Sequence, residues 1–317
     1  MGQLLNTIKT QKKHDLETVL SIKGLSKQYG KVRALDNLNL EVKKGDVFGI
    51  LGPNGSGKTT TLGIILSVIN QTKGQFEWFG EKANKDTRKT IGAILEHPIF
   101  YPYLTAVQNL KIVCDIKEVP YDRVDEVLKQ VGLEERKDTK FKTFSLGMKQ
   151  RLSIASALLC NPTVMILDEP TNGLDPQGIA EIRELIIEIA NGGKTIIIAS
   201  HLLDEVQKVC SHFCVLQRGK LIYNGLVEDV GKGSISVEVK ADHDDLQTVL
   251  EQSGLGTKVK RELDKYIMTM EGEHSAAELN AYLFKQGITA KHLLVQSKSL
   301  EKQFLEILAG NKEGGVQ

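Results

Sequence analysis

No stretch of this chain approaches the roughly 18 consecutive apolar residues that a membrane-spanning helix requires. The first residues lack an apolar secretory core, and although Met1-Gly2 opens like an acylation signal, Asn6 stands where Ser or Thr is needed. A soluble chain is expected, with any membrane role reached through a partner. Cysteine is scarce: four in 317 residues, scattered at positions 114, 160, 210 and 214. That excludes a disulfide scaffold and fits a reducing compartment. Cys210-Ser211-His212-Phe213-Cys214 has no second ligand pair, so it reads as packing rather than zinc binding. Neither charge sign dominates, with 41 Lys and Arg against 40 Asp and Glu. No global field points to nucleic acid or to an acidic surface as partner. Internal repeats and low-complexity tracts are missing too. The length is enough for about two domains.

What the chain does contain is Gly52-Pro53-Asn54-Gly55-Ser56-Gly57-Lys58-Thr59, a full match to G-x-x-x-x-G-K-[ST]. The apolar run Val47–Leu51 before it reads as a buried strand, and Thr60–Leu66 after it as a helix. Strand, glycine loop and helix start together make a phosphate cradle. Backbone N–H groups turn inward at the glycines, the helix N-terminus adds partial positive charge and Lys58 a full one. Thr59 is placed to ligate Mg²⁺, and Thr60 to line the phosphates.

Two more apolar strands follow, Val164–Leu167 and Thr195–Ala199, joined by a helix over Ile179–Ala190 with Ile182, Leu185, Ile186 and Ile189 on one stripe. Apolar strands joined by helices predict a parallel sheet covered on both faces, an α/β class. Short strands are expected from Val19 to the phosphate loop. Residues near 98–160 read as mostly helical, including Tyr121–Val131 and Leu146–Leu159. Residues 1–17 read as a flexible polar leader. Gly231-Lys232-Gly233 marks a boundary between a first domain, 18–230, and a second, 234–317. Beyond the boundary the order βαββαβ predicts a small ferredoxin-like α+β domain, followed by an amphipathic helix over Leu300–Leu308.

Asp168 and Glu169 leave the carboxyl end of the strand Val164–Leu167, the edge at which open α/β sheets bind ligands. Asp168 suits a Mg²⁺ shell and Glu169 an attacking water.

Taken together, these residues resemble the nucleotide-binding subunit of an ABC transporter. Walker A is Gly52–Thr59 and Walker B is Val164–Glu169. Phe144-Ser145-Leu146-Gly147-Met148-Lys149-Gln150-Arg151 is similar to the family signature, Thr171–Asp175 to the D-loop, and His201 holds the switch-histidine position. Tyr29 matches the aromatic that stacks on adenine. The resemblance covers roughly residues 19–230, and the motifs occur in the family's order. It implies a P-loop ATPase with a helical subdomain at about 98–160, binding ATP and Mg²⁺. It also implies two subunits closing head-to-tail, a homodimer being expected, with Ser145 and Gly147 facing the γ-phosphate held by the opposite subunit. Further implications are coupling to an integral membrane permease and a place at the cytoplasmic face of the membrane.

Two positions depart from the family pattern. Leu146 and Met148 replace a glycine and the glutamine of L-S-G-G-Q, and Glu96 stands at the Q-loop glutamine, where it would add an oxygen to the Mg²⁺ shell. Both features resemble the bacterial exporter branch that handles antibiotics, drugs and lipids. The apolar segment Pro98–Leu104 falls where the family docks its permease, with Phe100, Tyr101 and Tyr103 as anchors. The C-terminal domain is expected to regulate or dimerise. Import, or a soluble ABC-type ATPase without transport, are the alternatives.

Overall fold

The computed structural model describes residues 17–84, 87, 89–95, 99–229, 234–243, 245–271 and 274–297. It divides into two compact units, with the change at Asn224/Gly225. The expected boundary residues Gly231–Gly233, residues 1–16 of the leader, Glu96 and the terminal helix over Leu300–Leu308 lie outside the described residues.

The first unit begins with β1 (Thr18–Tyr29), β2 (Val32–Lys43), β3 (Val47–Leu51) and α1 (Lys58–Ile65). It continues through β4 (Lys73–Trp78), β5 (Glu81–Lys82), β6 (Ile91–Ile94), α2 (Ala106–Lys117), α3 (Asp122–Gln130) and α4 (Leu146–Leu158). The series β7 (Val164–Asp168), α5 (Pro176–Asn191), β8 (Thr195–Ser200), α6 (Leu203–Val209), β9 (His212–Gln217) and β10 (Lys220–Leu226) follows, β10 running across the division. A six-stranded sheet has the order β10-β9-β3-β8-β7-β6, with β9, β3, β8, β7 and β6 parallel. Every residue of β3, β7 and β8 is buried, as a parallel sheet clothed on both faces requires. A second, antiparallel sheet, β2-β1-β4-β5, shares its core with the first through Leu20, Ile22, Phe48, Ile50, Ile64, Ile166 and Ile197. The single tryptophan, Trp78, is buried in that core and donates its indole N–H to the Ile65 carbonyl at 2.8 Å, so its one polar atom is satisfied where water cannot reach.

The strands before the phosphate loop differ from expectation. Instead of several short strands, β1 and β2 run twelve residues each, kept in register by bulges that absorb Gly24 and Asn37. The helix expected from Ile179 begins three residues earlier. Asp175 caps it by accepting from Gly178 N at 3.1 Å, and Pro176 occupies the first turn, where its missing N–H costs nothing. Likewise α1 starts at Lys58, inside the glycine motif.

The second unit contains β11 (Ser234–Lys240), α7 (Leu246–Gln252), β12 (Lys258–Glu262), β13 (Lys265–Glu271), α8 (Ala276–Lys285) and β14 (His292–Ser297). Its sheet order, β12-β13-β11-β14, is antiparallel throughout and ferredoxin-like. Val237, Val239, Met268 and Met270 pack against Leu246 and Leu250 of α7 and Leu279 and Leu283 of α8.

Candidate active site

The phosphate loop leaves β3 at the carboxyl edge of the parallel sheet and delivers Lys58 to the first turn of α1. It is packed too closely for side chains at its ends. A Cβ on Gly52 would come within 2.4 Å of the Leu216 carbonyl, and Gly57 combines φ +111° with an approach of 2.7 Å to the Ala34 carbonyl. From behind, Gly219 N donates to the Ser56 carbonyl at 2.9 Å. Pro53, Asn54 and Gly55 are exposed at the rim, Thr60 is half-buried, and the buried Ser56 Oγ has no hydrogen-bond partner among the described residues.

Lys58 is 5 % exposed. Its ammonium donates to the carbonyls of Gly52 at 2.8 Å and Pro53 at 3.5 Å and pairs with Glu169 Oε1 at 3.3 Å. Thr59 Oγ1 donates to Asp168 Oδ2 at 2.9 Å, joining the loop to the end of β7. Asp168 is buried at 3 % exposure. Glu169 adopts φ +49°, a left-handed conformation costly for a residue with a Cβ, held by its N–H donating to the Ala199 carbonyl at 2.9 Å. That turn aims its carboxylate back at the loop. His201, just past β8, meets Glu169 Oε2 with Nδ1 at 2.8 Å and with its backbone N–H at 3.4 Å. Glu169 therefore stands between a lysine and a histidine. The edge gathers one buried cation, two carboxylates, a hydroxyl and an imidazole, a set able to hold phosphate and to activate water.

The other sequence candidates lie apart from this cluster. Ser145 caps α4, its Oγ accepting from Met148 N at 3.2 Å, and Gly147 faces open space. Tyr29 ends β1 with its ring half exposed and the Lys27 ammonium 4.8 Å from the ring centre. Of the three aromatics after Pro98, Phe100 turns inward to meet Phe141 edge-on at 5.2 Å, whereas Tyr101 and Tyr103 are exposed beside Ile99. Phe100 is half-buried against Phe141, so less of its ring is open than of Tyr101 or Tyr103. Cys210 and Cys214 are buried, and burial pushes both thiols far above their ordinary range. Sequence reasoning missed Gly219, although Arg218-Gly219 between two apolar strands is a turn signal.

The ABC transporter family profile matches residues 35–172. The chain is 38% identical over 306 residues to the bacitracin transport ATP-binding protein BcrA of Bacillus licheniformis, covering 94% of this chain and 100% of that one. The chain belongs to the ATP-binding subunits of ABC transporters. A lantibiotic transport ATP-binding protein, SrtF of Streptococcus pyogenes, is 41% identical over 204 residues, covering 64% of this chain and 89% of the relative. Among solved structures, cbiO1 from Clostridium perfringens, part of the ABC transporter complex cbiONQ, superposes with a TM-score of 0.63 at 32% identity, covering 68% of this chain and 90% of that one. An ATP-binding cassette solved as a dimer in a post-hydrolysis state with ADP and phosphate gives a TM-score of 0.59 at 28% identity, covering 66% of this chain and 98% of that one.

As an ABC cassette, this subunit binds nucleotide, hydrolyses ATP and couples that hydrolysis to transport. ABC ATP-binding subunits work with membrane permease partners and dimerise. Among the described residues no helix is long and apolar enough to cross a membrane.

Proposed function

We propose that this subunit binds Mg-ATP at Gly52–Thr60, closes head-to-tail on a second copy and drives an export permease from the cytoplasmic face of the membrane. The observation that carries the reading is the placement of Glu169 between Lys58 and His201, beside the Thr59–Asp168 hydrogen bond. Thr59 and Asp168 offer hard oxygen donors 2.9 Å apart, which fits Mg²⁺, an ion that takes few protein oxygens and completes its shell with phosphate and water. When bound, the ion neutralises charge that develops on the phosphate oxygens.

Lys58 turns from Glu169 and from the Gly52 and Pro53 carbonyls toward phosphate oxygens, to which a buried ammonium bonds more strongly. That frees Glu169 to accept a proton from the attacking water. His201 holds the Glu169 carboxylate through Nδ1 and keeps its other ring nitrogen for the γ-phosphate. Tyr29 supplies a flat, half-exposed ring for adenine. Ser145 and Gly147 present the start of α4, open and positively polarised, to the phosphate bound by the partner subunit. Glu96 is assigned to the metal shell on its position in sequence. Export is favoured by the Phe144–Met148 variant and by similarity to bacitracin and lantibiotic transport proteins.

Replacing Glu169 with Gln keeps size and removes the base. Turnover is expected to fall ~10²–10⁴-fold while equilibrium titration shows ATP binding retained. Near wild-type hydrolysis in that variant would overturn the assignment.

A further inference from the structure

We infer that Arg151 is a positioning residue of the composite site, holding the signature helix α4 in register with the D-loop and with the helix that follows it. The inference rests on the head-to-tail reading above. Arg151 lies on the second turn of α4 and reaches two different elements at once. Its Nη1 donates to the Val131 carbonyl at 2.8 Å and its Nη2 to Glu181 Oε2 at 3.0 Å. Val131 caps the C-terminus of α3, where carbonyls lack helical partners and the helix dipole is negative. Glu181 sits on α5, its other oxygen accepting from Gln177 Nε2 at 3.0 Å in the first turn of that helix. Hydrogen bonds from Arg151 and then Gln177 hold the Glu181 carboxyl below its ordinary range.

A second contact, nearer the site, ties α4 to the D-loop that leads into α5. Leu146, which stands where the family pattern has glycine, lies over the D-loop so closely that a Cβ on Gly173 would come within 3.3 Å of Leu146 Cδ2. Leu146 and Arg151 are separated along α4 by about 7.5 Å. One apolar and one ionic contact, so spaced, prevent α4 from tilting independently of the D-loop. Ser145 and Gly147 then cannot move relative to the segment ending at Asp175 without breaking one of them. Glu181 is 43 % exposed, so the pair adds little to stability, and its effect is to fix geometry. Lysine can replace Arg151 only in part, because one ammonium lacks the planar fork that spans two directions.

The full-length chain, assayed with its permease or as the soluble subunit, tests this. In Arg151→Ala, kcat is expected to fall about ten- to hundredfold, since displacing a catalytic group by an ångström costs on that order. ATP affinity and KM should stay within about twofold, because the phosphate loop is untouched. Arg151→Lys should recover only part of the loss. Glu181→Ala should lower kcat at least about threefold, and the double variant should be no slower than Arg151→Ala, since both changes break one link. Turnover within twofold of wild type in Glu181→Ala, or losses that multiply in the double variant, would overturn the inference. If Arg151→Ala fails to fold, the partly exposed Glu181→Ala and the Arg151→Lys variant decide alone. Ser145→Arg belongs in the same series. Activity retained there refutes the head-to-tail reading itself, whereas an inactive Ser145→Arg beside active Arg151 and Glu181 variants refutes only the role of Arg151.

Discussion

Two lysine–glutamate pairs, one chosen from each unit of this chain, are put to opposite uses. In the first unit Lys58 and Glu169 meet at 3.3 Å, one leaving a glycine loop and the other a strand end. In the second unit Lys265 and Glu238 meet at 2.7 Å across neighbouring strands, β13 and β11. Lys265 lowers the Glu238 carboxyl below its ordinary range, and Glu238 raises the lysine above its own. That pair lies on a sheet face, where His292 of β14 also meets Glu238, its Nε2 3.7 Å from Oε2. Lys58 and Glu169 sit instead at the carboxyl edge of parallel strands, where loops rather than strands supply the neighbours. The same charges are structural on a strand face and available for chemistry at a strand end.

Removing each lysine sharpens this contrast. Lys58→Ala should weaken ATP binding by about ten- to hundredfold, the worth of a charge-assisted bond to phosphate, and abolish measurable hydrolysis. Isothermal titration with a non-hydrolysable analogue checks the first and phosphate release the second. Lys265→Ala should leave both within twofold, and equal losses in the two variants would erase the distinction.

The strand-end logic also explains what could be read without coordinates. Val164–Leu167 followed by Asp168-Glu169 announced a strand edge with two carboxylates, because wholly apolar runs belong to sheets buried on both faces. The glycine motif announced the loop. The βαββαβ order of the second unit was legible from alternation, since its antiparallel sheet buries Met268 and Met270 but leaves Ile267 and Thr269 half-covered. What stayed hidden depended on contacts distant in sequence. Nothing local to Glu169 says that it turns through φ +49° to face Lys58, or that Arg151 spans Val131 and Glu181. The inward turn of Phe100 was hidden for the same reason, as Pro98–Leu104 reads as one apolar run until Phe141 is placed beside it.

A smaller effect is expected at the exposed aromatics. A Tyr101→Ala, Tyr103→Ala variant should keep its basal ATPase activity and lose co-purification with the permease, each truncated anchor costing up to about 2 kcal/mol of binding. Wild-type recovery of the complex from membranes would move the docking surface elsewhere.

The smallest effect on turnover is expected from Glu238→Gln, which should leave hydrolysis unchanged and lower the thermal stability of the second unit only. Its sign with pH follows from the direction of the shift. A carboxyl held below its ordinary value of 4.5 stabilises the folded state fully above that value and loses the contribution as pH falls through the lowered one. Calorimetry between neutral pH and pH 3 should therefore show the wild type and Glu238→Gln converging in acid. A gap that stays constant over that range would contradict the pairing.

The central claim is that one chain carries only half of each hydrolytic site. Light scattering of the Glu169→Gln subunit, with and without Mg-ATP, addresses it most directly. Nucleotide should double the measured mass of this variant, and a further Ser145→Arg change should keep it monomeric while it still binds ATP. A subunit that stays monomeric with ATP bound, yet whose wild-type form hydrolyses ATP at full rate as a monomer, would contradict the account.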